Sequence, residues 1–359
     1  MSGAARTVER LWDGTGVLAR VGRAVLAPLA GLYAVGVGVR NAAYGVGVLR
    51  SRHAAVRTVS IGNVRVGGTG KTPLTRWLAA RVQARGVAVA ILTRGYGGTA
   101  TAPHVVGDGT RVLGTVAESG DEAVMLARTS GVPVVAGADR AAAAALAVER
   151  FAPRLLLCDD AFQHRALRRD LDIALVDAGE RGGVGRLLPV GPLREPLRAL
   201  RRAQFLLVRE REATDAMPPP LVAGQRVLRL RFAPRALVQP APDGWREIGL
   251  AALAGQRVLA VSAVARPAPL YRTLRDWEAE LVHVLEYQDH HPYDARDWHA
   301  IAGAAKDVDM IVTTEKDLVK LEAFPFARGK LVAIRLGVDV EDADALVDAV
   351  IADAGAHTP

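Results

Sequence analysis

A glycine-rich stretch in the first fifth of the chain has residue types that can hold the phosphates of a nucleotide. Residues 60–73 read SIGNVRVGGTGKTP, in which four glycines precede Lys71 and Thr72. Where glycine removes the side chain, successive backbone N–H groups can turn inward around phosphate oxygens. A following helix adds its positive end, a lysine reaches the outer phosphates, and a threonine hydroxyl can take Mg²⁺. The stretch therefore predicts a nucleotide-binding loop.

This loop departs from the strict Walker A pattern at one position. The first glycine of that pattern is replaced by Arg65, whereas the Gly-Lys-Thr end is intact and Pro73 suits the first turn of a helix. The alternative is an ordinary glycine-rich turn between a strand and a helix. The predicted nucleotide contacts are Val66, Gly67, Gly68, Thr69, Gly70, Lys71 and Thr72.

Paired carboxylates follow another apolar run. The sequence LLLCDD, 155–160, ends in Asp159 and Asp160. Carboxylates at the carboxyl end of a strand, beside a phosphate loop, are suitable ligands for Mg²⁺. We expect a metal site formed by Thr72, Asp159 and Asp160, and the sequence leaves open which aspartate touches the metal. A helix cap or a turn explains one aspartate more easily than two in tandem.

Several other polar residues stand in loops that follow strands. By residue type alone each has an ordinary explanation, since carboxylates cap helices and adjacent histidines are usually surface residues. Thr314 is predicted to cap a helix by accepting the N–H of Asp317. The loop candidates are Arg94 in TRGYGG, Asp121 and Glu122 in SGDE, Gln163 after the paired aspartates, Arg194 in LLPVGPLREP, and Asp289, His290 and His291 in YQDHHPY.

Composition places this site in a basic, globular protein. The chain has 359 residues, half of them hydrophobic, and a formal net charge of +8. A basic surface suits a nucleotide, a nucleic acid or an anionic lipid without choosing among them, and a GC-rich genome also enriches arginine. The single cysteine, Cys158, excludes an internal disulfide and a cysteine-based zinc site, which fits a reducing compartment.

Alternating strands and helices must position these residues. The apolar strands are continuous rather than two-periodic, which is typical of a mostly parallel sheet covered by helices on both faces. We expect strands at 57–64, 87–93, 132–137, 153–160 and 171–178, and helices at 73–86, at 119–131 with a Ser or Asp cap, and at 139–151. After a proline-rich stretch at 213–225 we expect a strand and turn at 256–267, a helix at 269–281, a strand, turn and helix at 308–321, and a strand at 330–340.

The N-terminal segment is apolar and flanked by arginines. Residues 24–39 carry no charge, and after Arg40 a second apolar stretch continues to Leu49. The uncharged run is shorter than the roughly 20 residues of a spanning helix, and Pro28 and the glycines weaken it as a helix. We expect an amphipathic or interfacial segment on the cytoplasmic face of a membrane, with arginines at the headgroups. The alternative is a buried helix packed on the domain.

The predicted organisation has three parts. An N-terminal membrane-associated segment covers 1–50, a core that carries the phosphate loop covers 51–240, and a smaller α/β domain covers 241–359. The fold class expected for the core is α/β, P-loop NTPase-like, with a mostly parallel sheet.

Taken together, these stretches resemble the family of tetraacyldisaccharide 4'-kinases, the lipid A 4'-kinases. The resemblance spans roughly residues 30–320 and includes GLYAVGVGVRNAAY, which is similar to the family's membrane-associated entry segment. That family also lacks the first Walker glycine. The motifs that carry the resemblance, in order, are SIGNVRVGGTGKTP, TRGYGG, SGDE, CDDAFQH, LLPVGPLREP, DHHPY and TTEKD.

The resemblance implies a kinase on the cytoplasmic face of the inner membrane, with ATP and Mg²⁺ and no nucleic-acid partner. The γ-phosphate of ATP would pass to the 4'-hydroxyl of an acylated glucosamine disaccharide 1-phosphate, giving lipid IVA. Asp121 would act as the base, tuned by His290 reaching across from the second domain, and Lys71 would act on the phosphates. Supporting roles would fall to Thr72, Asp159, Asp160, Gln163, Arg194, Arg94 and Glu122.

Some positions depart from the family's pattern without removing a charged or nucleophilic group. Ala161 stands where the family usually has Gly, Thr93 where it often has Ser, and Ala123 where Pro is common. The stretch VSAVARP, 261–267, also lacks an expected glycine. These changes affect loop geometry rather than the reaction that the resemblance implies.

Two other classes share part of the pattern. A partition-type ATP switch needs a signature lysine at the position of Val66. A GTPase metallochaperone needs a base-reading Asn/Thr-Lys-x-Asp motif, and TTEKD places Glu315 before the lysine. The single cysteine also argues against metal delivery. Phosphate transfer to the lipid therefore remains the leading hypothesis.

Overall fold

The computed structural model describes residues 8, 11–12, 14–178, 185–210, 217–242, 244–325 and 327–354. Part of the predicted proline-rich stretch, 213–216, lies outside them. The described strands are β1 (Arg57–Gly62), β2 (Val89–Thr93), β3 (His104–Asp108), β4 (Pro133–Ala136), β5 (Leu155–Asp159), β6 (Leu171–Asp177), β7 (Phe205–Arg209), β8 (Arg226–Ala241), β9 (Gly244–Ile248), β10 (Arg257–Ser262), β11 (Glu280–Glu286), β12 (Met310–Thr314) and β13 (Leu331–Val340).

Helices connect these strands and cover the sheet. The described helices are α1 (Val17–Gly45), α2 (Lys71–Ala84), α3 (Val116–Ser119), α4 (Asp121–Thr129), α5 (Arg140–Phe151), α6 (Ala268–Asp276), α7 (Ala295–Ala304), α8 (Glu315–Leu321), α9 (Ala327–Lys330) and α10 (Ala343–Ile351). Short 3₁₀ helices occupy Leu197–Arg202 and Leu250–Leu253.

A single sheet runs through the described part of the chain. Its strand order is β11-β10-β12-β13-β8-β7-β6-β1-β5-β2-β4-β3, and β9 pairs with β8. Among the described pairings, β3–β4, β8–β9 and β8–β13 are antiparallel and the rest are parallel. Central strands such as β1 and β5 are buried along both faces, which explains their unbroken apolar sequences. The predicted α/β fold with a mostly parallel sheet is confirmed.

The long strand β8 sets two groups of strands opposite each other. Its first residues, 226–230, pair in parallel with β7, and its later residue Leu237 pairs with Ile334 of antiparallel β13. The ladder with β13 begins at Leu230, where the ladder with β7 ends. The carboxyl end of β12 at Thr314 lies level with Leu237, about 23 Å further along β8 at about 3.3 Å per residue. Because β10–β13 run in the opposite direction to β7, the carboxyl ends of both groups face one cleft.

The domain boundary predicted near residue 240 lies at the end of β8, the strand shared by both groups. This boundary stays a prediction, because the hydrogen-bonded ladder is continuous across it. Strands β1–β7 are called the N-terminal strands, and β10–β13 the C-terminal strands.

Two predicted helices differ from the structure. The helix expected at 119–131 is divided at Gly120, whose φ of 82° suits glycine, and no side chain caps α4. Thr115 instead caps α3 in a capping box with Glu118. The helix expected at 269–281 ends at Asp276, and the edge strand β11 follows from Glu280. The β-branched Val282 and Val284 and the parallel pairing with β10 explain this difference.

The N-terminal segment forms one continuous helix, α1, which passes through Pro28. The expectation that Pro28 and the glycines weaken the segment as a helix is thus not met over its 29 residues. None of its residues is buried, and large apolar side chains such as Leu18 and Leu32 are 89% and 71% exposed. By length and composition α1 could cross a membrane, the one such helix in the described chain.

Candidate active site

The phosphate loop connects β1 to α2 at the carboxyl edge of the N-terminal strands. Strand β1 ends at Gly62, and α2 begins at Lys71, directly after Gly70 in the left-handed region at φ 90°. A Cβ on Gly70 would also lie 2.3 Å from the Phe232 ring, so this position accepts glycine alone without rearrangement. Asn63 steadies the loop by donating a hydrogen bond from Nδ2 to Oγ1 of Thr69 at 2.9 Å.

A second loop braces the phosphate loop. The backbone N–H of Val66 donates to the carbonyl of Pro192 at 2.9 Å, and Arg65 forms a bridge with Leu193. Gly67 has a φ of 111°, and added Cβ atoms on Gly67 and Gly68 would meet no neighbour within 4 Å. This stretch therefore leaves open space beside backbone N–H groups, as phosphate binding requires.

Asp159 lies at the base of this loop. Its carboxylate accepts hydrogen bonds from Oγ1 of Thr72 at 3.1 Å and from Oγ1 of Thr75 at 2.8 Å. Burial, reinforced by the negative charges of Glu122 and Asp160, raises the pKa of Asp159 to about 6. A buried carboxylate that resists ionisation is a suitable partner for a cation.

Asp160 has the opposite electrostatic setting. Burial raises the pKa of this carboxyl, but the charges of Lys71 and Arg194 outweigh burial and leave the pKa below its ordinary value. Lys71 Nζ lies 3.6 Å from Oδ1, and Arg194 donates from Nη1 to Oδ2 at 3.0 Å. The backbone of Asp160 is left-handed, with φ at 47°. The structure thus brings Lys71, Thr72, Asp159, Asp160 and Arg194 together.

Asp121 and His290 meet across the cleft. Asp121 begins α4 beside the N-terminal strands, whereas His290 follows β11, and the His290 Nδ1 lies 3.0 Å from Asp121 Oδ1. Asp121 is 4% exposed, yet its carboxyl has a pKa of about 2. Burial acts to raise that pKa, and the hydrogen bond from His290 and the charges of Lys316, His290 and Lys320 lower it further than burial raises it.

Two lysines on α8 complete this cluster. Lys316 Nζ lies 2.8 Å from His290 Nε2, and Lys320 Nζ lies 3.3 Å from Asp121 Oδ2. They are four residues apart on a helix and therefore share one face. The cap of that helix is as predicted, because Thr314 Oγ1 accepts the N–H of Asp317 at 3.2 Å.

Glu122 and Arg94 stand at the margin of the site. The Glu122 carboxylate lies 3.7 Å from Lys316 Nζ and 4.0 Å from His290 Nε2. Its negative charge also acts on Asp159, which places the lysine cluster and the phosphate loop within electrostatic reach of each other. Arg94 is exposed, on the loop after β2.

Gln163 and Glu195 connect the site to α1. Gln163 Nε2 donates to the carbonyl of Asn63 at 2.7 Å and to Glu195 Oε2 at 3.3 Å. Buried Glu195 also accepts from Asn41 of α1 at 2.8 Å, and Tyr33 donates to the carbonyl of Arg194 at 2.9 Å. Gln163 therefore connects the phosphate loop to α1 through Glu195.

Some members of the cluster were not singled out from the sequence. For Lys316 and Lys320, the signal available was their four-residue spacing, which places both lysines on one face of a helix. Thr75 and Asn63 carry no motif of their own. Glu195 lies in the recognised LLPVGPLREP stretch but was passed over in favour of Arg194.

The phosphate loop, the buried aspartate beside it and the parallel sheet define a P-loop nucleotide-binding protein of the α/β class. The family model of LpxK, tetraacyldisaccharide-1-P 4'-kinase, matches residues 22–354. The chain therefore belongs to the LpxK family.

Named relatives and a solved structure agree with this assignment. A protein of Anaeromyxobacter sp. (strain Fw109-5), named tetraacyldisaccharide 4'-kinase, is 43% identical over 93% of this chain and 92% of its own. One of the same name from Syntrophus aciditrophicus is 42% identical over 80% of this chain and 82% of its own. The crystal structure of LpxK from Aquifex aeolicus, in complex with ATP, superposes with a TM-score of 0.78 at 28% identity, covering 92% of this chain and 99% of that one.

Proposed function

We propose that this protein transfers the γ-phosphate of ATP to the 4'-hydroxyl of tetraacyldisaccharide 1-phosphate and so forms lipid IVA in lipid A biosynthesis. Membership of the LpxK family and the names of its relatives support this reaction. The single observation that carries the proposal is the Asp121–His290 pair, which spans the cleft between the C-terminal strands and the N-terminal strands that carry the phosphate loop.

The loop suits the phosphates of ATP. Lys71 stands at the start of α2, where the helix dipole and free N–H groups favour an anion. Lys71 and Arg194 now neutralise Asp160, and both cations are within reach of a phosphate that enters the loop. A solved relative holds ATP, which also supports ATP as the donor.

The donors near Lys71 fit Mg²⁺. The Thr72 hydroxyl and the Asp159 carboxylate are oxygen ligands 3.1 Å apart, and Asp160 adds a second carboxylate. Burial, together with the negative charges of Glu122 and Asp160, raises the pKa of Asp159, and a bound cation would favour its ionised form. When bound, Mg²⁺ would neutralise the negative charge of the phosphates. Thr72, Asp159 and Asp160 are the residues we assign to hold it.

Asp121 is assigned as the base. Its carboxylate is ionised at physiological pH, so it can accept the proton of the sugar 4'-hydroxyl as that oxygen forms its bond to the γ-phosphorus. The bond from phosphorus to the bridging oxygen breaks, and ADP leaves. His290 orients the carboxylate through Nδ1. Glu122, Gln163, Arg94 and Arg194 are assigned supporting roles around the two substrates.

The helix α1 is assigned to a membrane surface on the cytoplasmic side of the inner membrane. Its exposed valine and leucine side chains suit lipid tails, and Arg40 at its inner end contacts the Gln163 carbonyl at 2.7 Å. The acylated acceptor resides in such a surface, so α1 would bring the active site to it.

The experiment that tests the proposal is a phosphate-transfer assay. Detergent-purified protein receives γ-labelled ATP, Mg²⁺ and tetraacyldisaccharide 1-phosphate, and the lipid product is examined for the position of its new phosphate. We expect label in a lipid-soluble bisphosphate with the new phosphate at the 4' position. Release of inorganic phosphate alone, indifferent to the lipid, would contradict the proposal.

A further inference from the structure

We propose that Lys316 is a positioning residue that fixes the tautomer of His290, so that the ring directs its single proton at Asp121. The effect on catalysis rests on the proposed kinase function, whereas the tautomer itself is a property of the protein alone. The inference follows from the donors and acceptors around the ring.

The geometry at the outer ring nitrogen decides the tautomer. Lys316 Nζ lies 2.8 Å from His290 Nε2. A lysine ammonium has three donors and no acceptor, so Nε2 must supply its lone pair. The proton of the neutral ring then sits on Nδ1, which lies 3.0 Å from Asp121 Oδ1 and donates to it. The hydrogen bond from Lys316 to Nε2 thus leaves the ring proton on Nδ1, where it faces Asp121.

Carboxylates keep Lys316 charged. Its Nζ lies 2.9 Å from Asp289 Oδ1 and 3.7 Å from Glu122 Oε1. Burial lowers the pKa of Lys316, but the charges of Glu122, Asp121 and Asp289 outweigh it and raise the pKa above its ordinary value. An uncharged lysine, which could accept a proton from Nε2, is therefore disfavoured here.

The ring is held where these groups meet. His290 has a left-handed backbone, φ 61°, which is strained for a residue other than glycine and persists only where neighbours fix it. Its N–H donates to the carbonyl of Ala263 at 3.3 Å, and the Tyr96 ring packs edge-on with centroids 5.0 Å apart. The charged groups that face the ring are Asp121 and Glu122 of α4, Asp289 beside it, and Lys316 and Lys320 of α8.

Lys316 also opposes protonation of the ring. A proton on Nε2 would compete with the ammonium for the same lone pair and set two cations side by side. Burial likewise lowers the pKa of His290, whereas the bond to Asp121 raises it, and the net pKa is above the ordinary value. Removing Lys316 takes away one of the opposing groups, so the pKa of His290 should rise further. A neutral partner leaves Asp121 a stronger base than an imidazolium would.

The test is ¹⁵N NMR of histidine-labelled full-length protein, with the His290 signals assigned from the spectrum of His290→Gln. Wild-type protein at neutral pH is compared with Lys316→Met, Lys316→Arg and the matched control Lys306→Met, an exposed lysine after α7. We expect wild-type His290 to carry its proton on Nδ1 with Nε2 unprotonated. In Lys316→Met we expect Nε2 to become protonated and the His290 pKa to rise by about half a unit or more.

Lys316→Arg should restore the wild-type tautomer, and Lys306→Met should leave it unchanged. A wild-type ring with its proton on Nε2 would overturn the proposal, even if every variant failed to fold. A Lys316→Met ring that titrates as in wild type would also overturn it.

Kinetics provide the second measurement. In the phosphate-transfer assay, the acidic limb of the kcat/KM profile should move to higher pH in Lys316→Met and return towards wild type in Lys316→Arg. If the acidic limb of the kcat/KM profile stays at the wild-type pH in a folded Lys316→Met variant, the positioning role is contradicted. Failure of wild-type protein to phosphorylate the lipid would instead refute the proposed function and leave the NMR result standing.

Discussion

The carboxylates of the site are held in two opposite electrostatic states. Asp121 lies among His290 and two lysines, and its pKa is about 2, whereas Asp159 faces other carboxylates in a buried position and its pKa is about 6. Groups whose environments push their pKa values apart are typical of sites that combine acid–base and cation-binding tasks. The two aspartates therefore fit different roles, a base and a metal ligand.

Asp121→Ala should separate turnover from nucleotide binding. Loss of a positioned base typically costs about 10²–10⁴-fold in rate, while the phosphate loop remains intact. Lys71→Ala should lower both turnover and ATP affinity, because Lys71 begins the helix that we assign to phosphate binding. Single-turnover transfer and ATP titration measure the two effects, with exposed Asp276→Ala as the control. Wild-type turnover in Asp121→Ala would refute its assignment as the base.

Mg²⁺ binding should weaken in acid because of Asp159. Its native pKa of about 6 means that the carboxyl holds a proton below that pH, and a metal ion must displace the proton. Affinity should be nearly constant above pH 7 and should fall about tenfold for each pH unit below 6. Calorimetric titration of nucleotide-free protein measures this, with Asp159→Asn expected to lose the dependence. Equal affinity at pH 5 and pH 7 would contradict the assignment.

Helices carry the functional groups that the strands alone do not supply. The helix α8 presents Lys316 and Lys320 to the Asp121–His290 pair, and α1 presents an apolar surface away from the core. On α1 the residues Leu18, Val25, Leu32 and Val39 recur every seventh position and are each at least 65% exposed. This spacing places them along one side of the helix.

Acidic substitutions on this side of α1 should release the protein from lipid. Burying three such side chains in lipid contributes about 5 kcal/mol to membrane binding, and carboxylates in their place remove this contribution. The variant Leu18→Glu/Val25→Glu/Leu32→Glu should therefore lose co-flotation with anionic vesicles while keeping the wild-type Tm. The control Leu113→Glu changes an exposed leucine between β3 and α3, outside α1, and this variant should float with the vesicles as wild type does. Unchanged flotation of the triple variant would contradict the membrane role.

Local sequence determined the elements around the phosphate loop better than those of the C-terminal strands. The strand–loop–helix from Arg57 to Ala84 and the paired aspartates at the carboxyl end of β5 were predicted, because glycines, apolar runs and charged ends are short-range signals. Strand β8 was not predicted, since four arginines interrupt its apolar sequence and its longer ladder is with β13, which is distant in sequence. Pairing across such distances is decided by tertiary contacts.

The sequence predicted several residues of the candidate site but not the contacts that hold them together. The resemblance to the family named Asp121, His290 and the phosphate loop, and the structure brings the first two together. The lysines of α8 were missed because charged residues on a short helix usually face solvent. Their burial depends on how α8 packs against α4, which no local pattern reports.

In the whole molecule, a chain of ion pairs connects the two sides of the cleft. Arg76 of α2 donates to both oxygens of Glu315 at 2.7 and 2.8 Å, and Arg335 of β13 donates to Glu315 at 2.7 Å. Glu315 is 7% exposed and begins the helix that carries Lys316. Helix α2, which follows the phosphate loop, is thereby connected to α8, whose lysines contact the Asp121–His290 pair.

Arg76→Met should destabilise the protein measurably. Breaking a buried ion pair costs about 3–5 kcal/mol when the other charge is stranded, and Arg335 still pairs with Glu315, so we expect about 2 kcal/mol. Urea denaturation measures the change. Arg85→Met, at the end of the same helix, removes exposed pairs with Asp344 and Asp348 and should leave the midpoint unchanged. Equal midpoints for the two variants would argue against the buried connection.

The central claim is that Asp121 and His290 work as one unit across the cleft, and a double-mutant cycle on phosphate transfer tests it most directly. Turnover is measured for wild type, Asp121→Asn, His290→Gln and the double variant at saturating ATP and lipid. Because residues that act as a unit are strongly non-additive, the double variant should be about as slow as Asp121→Asn alone. A double variant slowed by the product of the two single effects would show that they act independently and would contradict the account.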